Sequence, residues 1–172
     1  ADHILSGDFD NDIAAGIQNL LRGKGIKIYL NTKVEAFGDK SVSLSNGQKL
    51  DYDMAIIATG VKPDLKLSIL SDLEVGETGG LVVNEYMQTS DKDIYAAGDD
   101  VEVLHMITRK PVRLSQAGLA VKEARVIAEH LAGISHKFKY ALNTSAAQIF
   151  GLTAAASGAT ETKLKAAGTE YE

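Results

Sequence analysis

Apolar residues recur at helical spacing near the beginning of the chain. The spacing predicts a helix over about residues 10–23 that ends at the glycines Gly23 and Gly25. Asp10 and Asp12 lie near its N-terminal end, where the helix dipole favours negative charge. The apolar stripe consists of Ile13, Ile17, Leu20 and Leu21.

The pattern then changes to short runs in which apolar and polar positions alternate, the period of a β-strand. Turn residues separate the runs, and Asn46-Gly47 is a strong hairpin signal. The runs occupy residues 26–30, 33–37, 41–45 and 48–51. We therefore expect a small antiparallel meander.

Two apolar runs are each followed by a glycine. Residues 54–58 predict a strand buried on both faces that ends at Thr59 and Gly60. Residues 94–97 predict a short buried strand followed by Gly98 and Asp99. Ligands bind at strand ends of open α/β sheets, a glycine allows close approach, and an ionised carboxylate suits a sugar or ribityl hydroxyl. Gly-Asp after an apolar run is also a common structural turn, so both interpretations stay open at this point.

Residues 115–131 predict the clearest helix in the chain. Ser115 is the expected N-cap and Gly133 the expected end. The unpaired N–H groups at its start suit an electron-rich carbonyl, although an ordinary amphipathic surface helix has the same pattern. Its apolar face consists of Leu119, Ala120, Val126, Ile127 and Leu131.

The remaining elements are shorter. We expect a helix or turn at 65–73, a loop at 76–80, strands at 81–83 and 101–107, one or two strands within 143–158, and a helix over 161–167 that ends at Gly168.

Composition narrows the possible functions. The 172 residues are 45% hydrophobic and 24% charged, enough to build a core. The net charge of -5 argues against nucleic acid or an anionic membrane surface as the main partner. No apolar run approaches the roughly 20 residues of a membrane span, and no signal-peptide pattern opens the chain. We expect a cytoplasmic protein.

The chain contains no cysteine, which excludes disulfides, thiolate metal sites and dithiol chemistry carried by its own residues. The four histidines show no metal-ligand spacing, so we expect no metal site.

The whole stretch from Thr89 to Asp99 resembles the second FAD-binding motif of the FAD-dependent pyridine nucleotide-disulfide oxidoreductases. The preceding acidic helix, meander and Ala-Thr-Gly-x-x-Pro segment ending at Pro63 resemble the NAD domain of that family, in the same order. Residues 138–172 resemble the start of its C-terminal dimerisation domain, in the branch that contains NADH oxidases, NADH peroxidases and coenzyme A-disulfide reductases.

The resemblance implies roles for individual residues. Asp99 would bind the ribityl chain of FAD, with Gly98 beside it. The backbone near Gln116 and Ala117 would donate to the isoalloxazine ring. By position, Thr59 and Gly60 would line the nicotinamide nucleotide site.

No catalytic residue or metal ligand is among these positions. Many relatives carry Gln-Gly before the arginine of this helix, where this chain has Glu123-Ala124 before Arg125. We expect that departure to affect packing more than cofactor chemistry.

The resemblance also implies an α/β fold: a partial two-dinucleotide-binding flavoprotein with a β-meander and the start of an α+β dimerisation domain. Residues 1–63 would be the C-terminal half of the NAD(P)-binding domain, 64–134 the returning FAD-binding segment and 135–172 the start of the dimerisation domain. No Gly-x-Gly-x-x-Gly occurs in the chain. We therefore expect a C-terminal fragment of a longer flavoenzyme.

The expected parent is an FAD-dependent NAD(P)H oxidoreductase. It would pass hydride from nicotinamide to flavin and on to a disulfide, peroxide or oxygen. Its partners would be a small-molecule electron acceptor and a second copy of itself, with no nucleic acid and no membrane. The alternative concerns the isolated chain, which would be an inactive, self-associating module that retains neither FAD nor NAD(P)H.

Overall fold

The computed structural model describes residues 1–171, in which helices and short strands are mixed along the chain, as the predicted α/β class requires. The helices are α1 (Asn11–Gly23), α2 (Lys66–Leu70), α3 (Ala117–Leu131) and α4 (Glu161–Ala167). The strands are β1 (Val34–Phe37), β2 (Ser41–Leu44), β3 (Lys49–Asp51), β4 (Leu81–Val82), β5 (Val101–Leu104), β6 (Pro111–Val112), β7 (Thr144–Ile149) and β8 (Leu152–Ser157). None of the helices within residues 1–171 combines the length and the apolar character needed to cross a membrane.

The chain divides into two compact units. Among the described residues, the first contains residues 1–59, 145–156 and 160–162, and the second contains residues 60–144, 157–159 and 163–171.

In the first unit, β1, β2 and β3 form the predicted antiparallel meander. Val42 of the central strand pairs with Phe37 on one side and Leu50 on the other. The run 26–30, expected as a further strand, forms none. Helix α1 buries Ile17 as predicted, but Ile13 is 56% exposed, so the predicted stripe is correct only in part.

The C-terminal ends of the helices follow the glycine signals in the sequence. At the end of α1, Gly25 has φ +83°, its N–H donates to the carbonyl of Arg22 at 2.9 Å, and the N–H of Ile26 donates to Leu21 at 3.1 Å. This pair of bonds is the Schellman motif, which needs a left-handed residue that glycine adopts without strain. Helix α3 ends in the same way at Gly133.

The second unit contains a three-stranded sheet in the order β4-β5-β6, with β4 parallel and β6 antiparallel to β5. Its core cluster consists of Leu81, Met87, Val101 and Val126. Because Val126 belongs to α3 while Leu81 and Val101 belong to β4 and β5, the core joins this helix to the sheet.

Residues 54–58 do not form the predicted buried strand. Met54, Ile56 and Ile57 are 80%, 85% and 71% exposed, and no strand includes them. A strand of a parallel sheet needs pairing partners at its edges and cover on both faces. None of the described residues pairs with this run.

The predicted strand at 94–97 is also absent. This segment makes one isolated bridge, between Tyr95 and Gln88, and Tyr95 is only half-buried. The segment after Thr89 is therefore a loop that makes this one bridge and leads into β5.

The end of the chain matches its sequence pattern. β7 and β8 form a two-stranded sheet, and α4 begins and ends where expected. The carboxylate of Asp10, the N-cap position of α1, makes no capping bond there. It accepts hydrogen bonds instead from the N–H of Glu161 at 2.7 Å and the hydroxyl of Thr162 at 2.5 Å, at the start of α4.

Candidate functional site

Gly98 and Asp99 begin a turn that leads into β5. Gly98 has φ +89°, a left-handed conformation that residues with a β-carbon rarely adopt. Asp99 is the next residue, and its side chain is exposed to solvent. The sequence placed this carboxylate after a strand, whereas the structure presents it from a turn between a loop and β5.

The turn packs against one face of α3. A β-carbon built on Gly98 would lie 3.7 Å from the β-carbon of Ala120. The N–H of Gly98 donates to Oε2 of Glu123 at 2.7 Å. Ala120 in turn donates its N–H to the carbonyl of Gln116 at 3.1 Å, so it lies one turn from the helix start. The structure therefore brings Gly98 and Asp99 close to the N-terminus of α3.

Helix α3 starts one residue later than predicted, with Gln116 rather than Ser115 at the N-cap. The N–H of Gln116 donates to the carbonyl of Leu114 at 2.9 Å, which closes a tight turn around Ser115. The Gln116 side chain donates to Oδ1 of Asn143 at 2.7 Å. Ser115 lies inside that turn and is not the N-cap of the helix.

This arrangement decides which N–H groups remain available. The N–H of Gln116 is already engaged. Ala117 and Gly118 are exposed, and within residues 1–171 their N–H groups donate to no protein acceptor. These two amides carry the partial positive charge of the helix N-terminus.

Glu123 is the residue whose role the sequence did not reveal. It is 2% exposed and shares the buried face of α3 with Leu119 and Val126. Burial raises its pKa, repulsion from Asp99 adds to the rise, and the hydrogen bond from Gly98 opposes it. Glu123 therefore lies on the packed face of α3 and also holds the candidate turn through Gly98. The sequence feature that could have revealed this role is the position of the Glu123 carboxylate, four residues after Leu119 and within the apolar stripe of α3.

Thr59 and Gly60 make no comparable site. Both are exposed, and within residues 1–171 no hydrogen bond involves either residue. Gly60 has φ +93°, and a β-carbon built on it would meet no atom within 4 Å. The nicotinamide role that the resemblance gave them stays a prediction.

Among the histidines, His105 is 4% exposed and its Nδ1 accepts the N–H of Thr108 at 3.2 Å. Burial lowers its pKa and favours the neutral ring. Within the described part of the chain, no group of three or more histidine or acidic side chains could hold a metal ion.

Comparison with known proteins supplies the context for this geometry. The chain is 34% identical over 163 residues to the NADH oxidase of Methanocaldococcus jannaschii, covering 93% of this chain and 36% of that protein. It matches the structure of an NAD-dependent persulfide reductase from A. fulgidus with a TM-score of 0.95 and 34% identity, over 100% of this chain and 32% of the other.

An FAD-dependent pyridine nucleotide-disulphide oxidoreductase from Desulfovibrio vulgaris matches with a TM-score of 0.86 and 30% identity, over 96% of this chain and 43% of that one. The chain thus spans well under half the length of these relatives. The family model for pyridine nucleotide-disulphide oxidoreductases matches residues 1–149. The prediction made from the Thr89–Asp99 pattern is therefore confirmed: the chain belongs to the pyridine nucleotide-disulphide oxidoreductase family, and its fold is the α/β fold of those enzymes.

Proposed function

We propose that this chain supplies part of the FAD site of an NAD(P)H-dependent flavoprotein oxidoreductase. The proposal rests on one observation: the turn at Gly98 and Asp99 packs on the first turns of α3. An exposed carboxylate and unpaired helix N–H groups consequently lie in one region. Family membership supports an oxidoreductase, and the chemistry of these groups supports FAD as the ligand.

The groups fit two different parts of FAD. The Asp99 carboxylate is an exposed acceptor that suits the hydroxyls of the ribityl chain. Gly98 has no side chain to keep the cofactor away from the backbone. The N–H groups of Ala117 and Gly118 suit a carbonyl oxygen of the isoalloxazine ring. Gln116 would contribute through its position at the N-cap, since its own N–H is engaged.

Bound FAD would supply the redox chemistry, which is hydride transfer from NAD(P)H and electron transfer onward to an acceptor such as a disulfide, peroxide or oxygen. The residues of this chain hold and orient cofactors. Thr59 and Gly60 would line the site of the nicotinamide nucleotide. The chain contains no cysteine, so none of its own side chains can form a disulfide with a substrate.

A second candidate function concerns the isolated 172-residue chain. Met54, Ile56 and Ile57 are largely exposed, as are Leu67 and Leu70 of α2, which are 79% and 84% exposed. Apolar surface of this kind favours association with another protein surface. The chain by itself would then be a self-associating module without bound cofactor.

The FAD site is tested in the longer flavoprotein that we propose contains this chain. Asp99→Asn should weaken FAD binding by about tenfold or more, because a ribityl hydroxyl loses a charged acceptor. Asp72→Asn makes the same chemical change at an exposed position outside the Thr89–Asp99 stretch and should leave FAD binding unchanged.

Flavin fluorescence titration of the apoprotein gives both dissociation constants. A longer protein that binds no flavin, or equal effects of the two substitutions, would contradict the proposed FAD site. For the isolated chain, sedimentation velocity should show self-association. A monomer that retains stoichiometric yellow flavin would contradict the second candidate.

A further inference from the structure

The carboxylate of Glu123 accepts a hydrogen bond from a backbone N–H and is shielded from solvent. It is 2% exposed, and its Oε2 accepts the N–H of Gly98 at 2.7 Å. The side chain projects from the middle of α3, whose C-terminal half is fixed to the sheet through Val126. The bond therefore connects Gly98, a residue type with high backbone freedom, to a helix that packs on the sheet.

Gly98 needs such a tie because its own conformation is weakly determined. Glycine has more accessible backbone conformations than any other residue. Gly98 adopts one of them, with φ +89°. Within the turn, the bond from the N–H of Val101 to the carbonyl of Gly98 is long, at 3.3 Å. The short bond to Glu123 restrains the Ala97–Gly98 peptide, one residue before Asp99, more tightly than the long bond from Val101 restrains the Gly98 carbonyl.

We propose that Glu123 is a positioning residue for the cofactor-binding turn. Its carboxyl oxygen fixes the Ala97–Gly98 peptide and thereby sets the direction in which the next residue, Asp99, presents its carboxylate to the ribityl hydroxyls of FAD. This inference rests on the FAD site proposed above.

Two substitutions of Glu123 separate positioning from simple packing. Glu123→Gln keeps an acceptor oxygen at the same distance along the side chain. Glu123→Asp keeps the charge but withdraws the oxygen by one methylene, so the bond to Gly98 is lost. Glu129→Gln is the matched control, since Glu129 lies on the same helix and faces His136 instead of the turn.

The experiment measures FAD dissociation constants and the visible circular dichroism of bound flavin in the longer protein. Glu123→Gln and Glu129→Gln should bind FAD within about threefold of the unsubstituted protein, whereas Glu123→Asp should bind about tenfold more weakly, because the partly buried N–H of Gly98 loses its acceptor. Glu123→Asp should also change the dichroism of the flavin, which a loss of global stability alone would not do.

A double-mutant cycle with Asp99→Asn tests the connection to Asp99. In the Asp99→Asn background, Glu123→Asp should have little further effect on FAD affinity, because Glu123 acts through Asp99. Independent, multiplying effects would overturn the proposal, and so would unchanged FAD binding by Glu123→Asp. If Glu123→Asp does not fold, Glu123→Leu, of similar volume and without an acceptor, takes its place with the same expectations.

Failure of the underlying FAD site gives a different result. In that case the unsubstituted protein binds no flavin. The amide proton of Gly98 then still reports its hydrogen bond to Glu123. Its NMR chemical shift should move upfield in Glu123→Asp and stay unchanged in Glu129→Gln. An unmoved Gly98 signal in Glu123→Asp would refute the anchoring role by itself.

Discussion

The carboxylate of Glu102 occupies the space that a β-carbon on Gly76 would need. An ideal β-carbon at Gly76 would lie 1.8 Å from Oε1 of Glu102. Oε2 of the same carboxylate accepts hydrogen bonds from the N–H and the hydroxyl of Thr78, at 3.0 Å and 2.7 Å. The loop between α2 and β4 therefore closes around a side chain of β5, and the glycine is required by that neighbour.

Substituting Gly76→Ala should destabilise the second unit by about 1–3 kcal/mol, because Glu102 must leave its bonds to Thr78 to avoid the added methyl group. Urea unfolding monitored by circular dichroism measures the loss. Gly151→Ala is the control, since a β-carbon there meets no atom within 4 Å, and it should change stability by less than about 0.5 kcal/mol. Equal losses in the two variants would show that the Glu102 contact is not what requires Gly76.

Met87 and Met54 form a matched pair for testing the core. Met87 is 0% exposed and packs with Leu81 and Val101, whereas Met54 is 80% exposed. Met87→Ala should cost about 2–5 kcal/mol through lost burial and the cavity left behind. Met54→Ala should stay within about 0.5 kcal/mol of the unsubstituted chain. Thermal unfolding compares the two, and a larger loss for Met54→Ala would contradict this assignment of the core.

Glu123 should make the stability of the chain depend on pH. Burial, reinforced by Asp99, raises its pKa above the usual 4.5 of a glutamate, so the folded state binds the proton more tightly than the unfolded state. The stabilisation is fully present below pH 4.5 and is lost as pH rises through the raised pKa. Glu123→Gln cannot ionise and should lack this loss.

The measurement is urea unfolding of both proteins from pH 4 upward, with Glu129→Gln as the control. The stability of Glu123→Gln relative to the unsubstituted protein should increase with pH, while that of Glu129→Gln should not follow the same course. A relative stability of Glu123→Gln that falls with rising pH would mean that the carboxylate is better stabilised in the folded state than in water.

Asp10 should stabilise the start of α4. Its pKa is lowered chiefly by the hydrogen bond from the Thr162 hydroxyl, with the Glu161 and Thr162 N–H groups adding to the effect. That stabilisation is present above pH 3.8 and is lost as pH falls through the lowered pKa. Asp10→Ala should speed hydrogen exchange at the Glu161 and Thr162 amides. Asp12→Ala removes a neighbouring carboxylate that accepts the N–H of Ile13 and should leave those amides unchanged.

The elements that the sequence predicted well are those whose signals are local. The meander follows from alternation and the Asn46-Gly47 turn, and two helix ends follow from Gly25 and Gly133. Each of these features is determined within a few residues. The family, too, could be predicted, because the Thr89–Asp99 pattern is a contiguous motif.

The predictions that failed depend on distant parts of a structure. Residues 54–58 have the composition of a parallel strand, but composition cannot supply the neighbouring strands. Ser115 has the chemistry of an N-cap, but a bond between Gln116 and Leu114 moves the helix start. Glu123 reaches Gly98 across 25 positions of sequence, a distance at which periodicity carries no information.

We expect the exposed run from Met54 to Ile57 to make the solubility of the chain depend on temperature. Attraction between apolar surfaces weakens on cooling and is strengthened by excluded salts such as sulfate. Turbidity of a concentrated sample should therefore rise on gentle warming, clear again on ice, and deepen when sulfate replaces chloride.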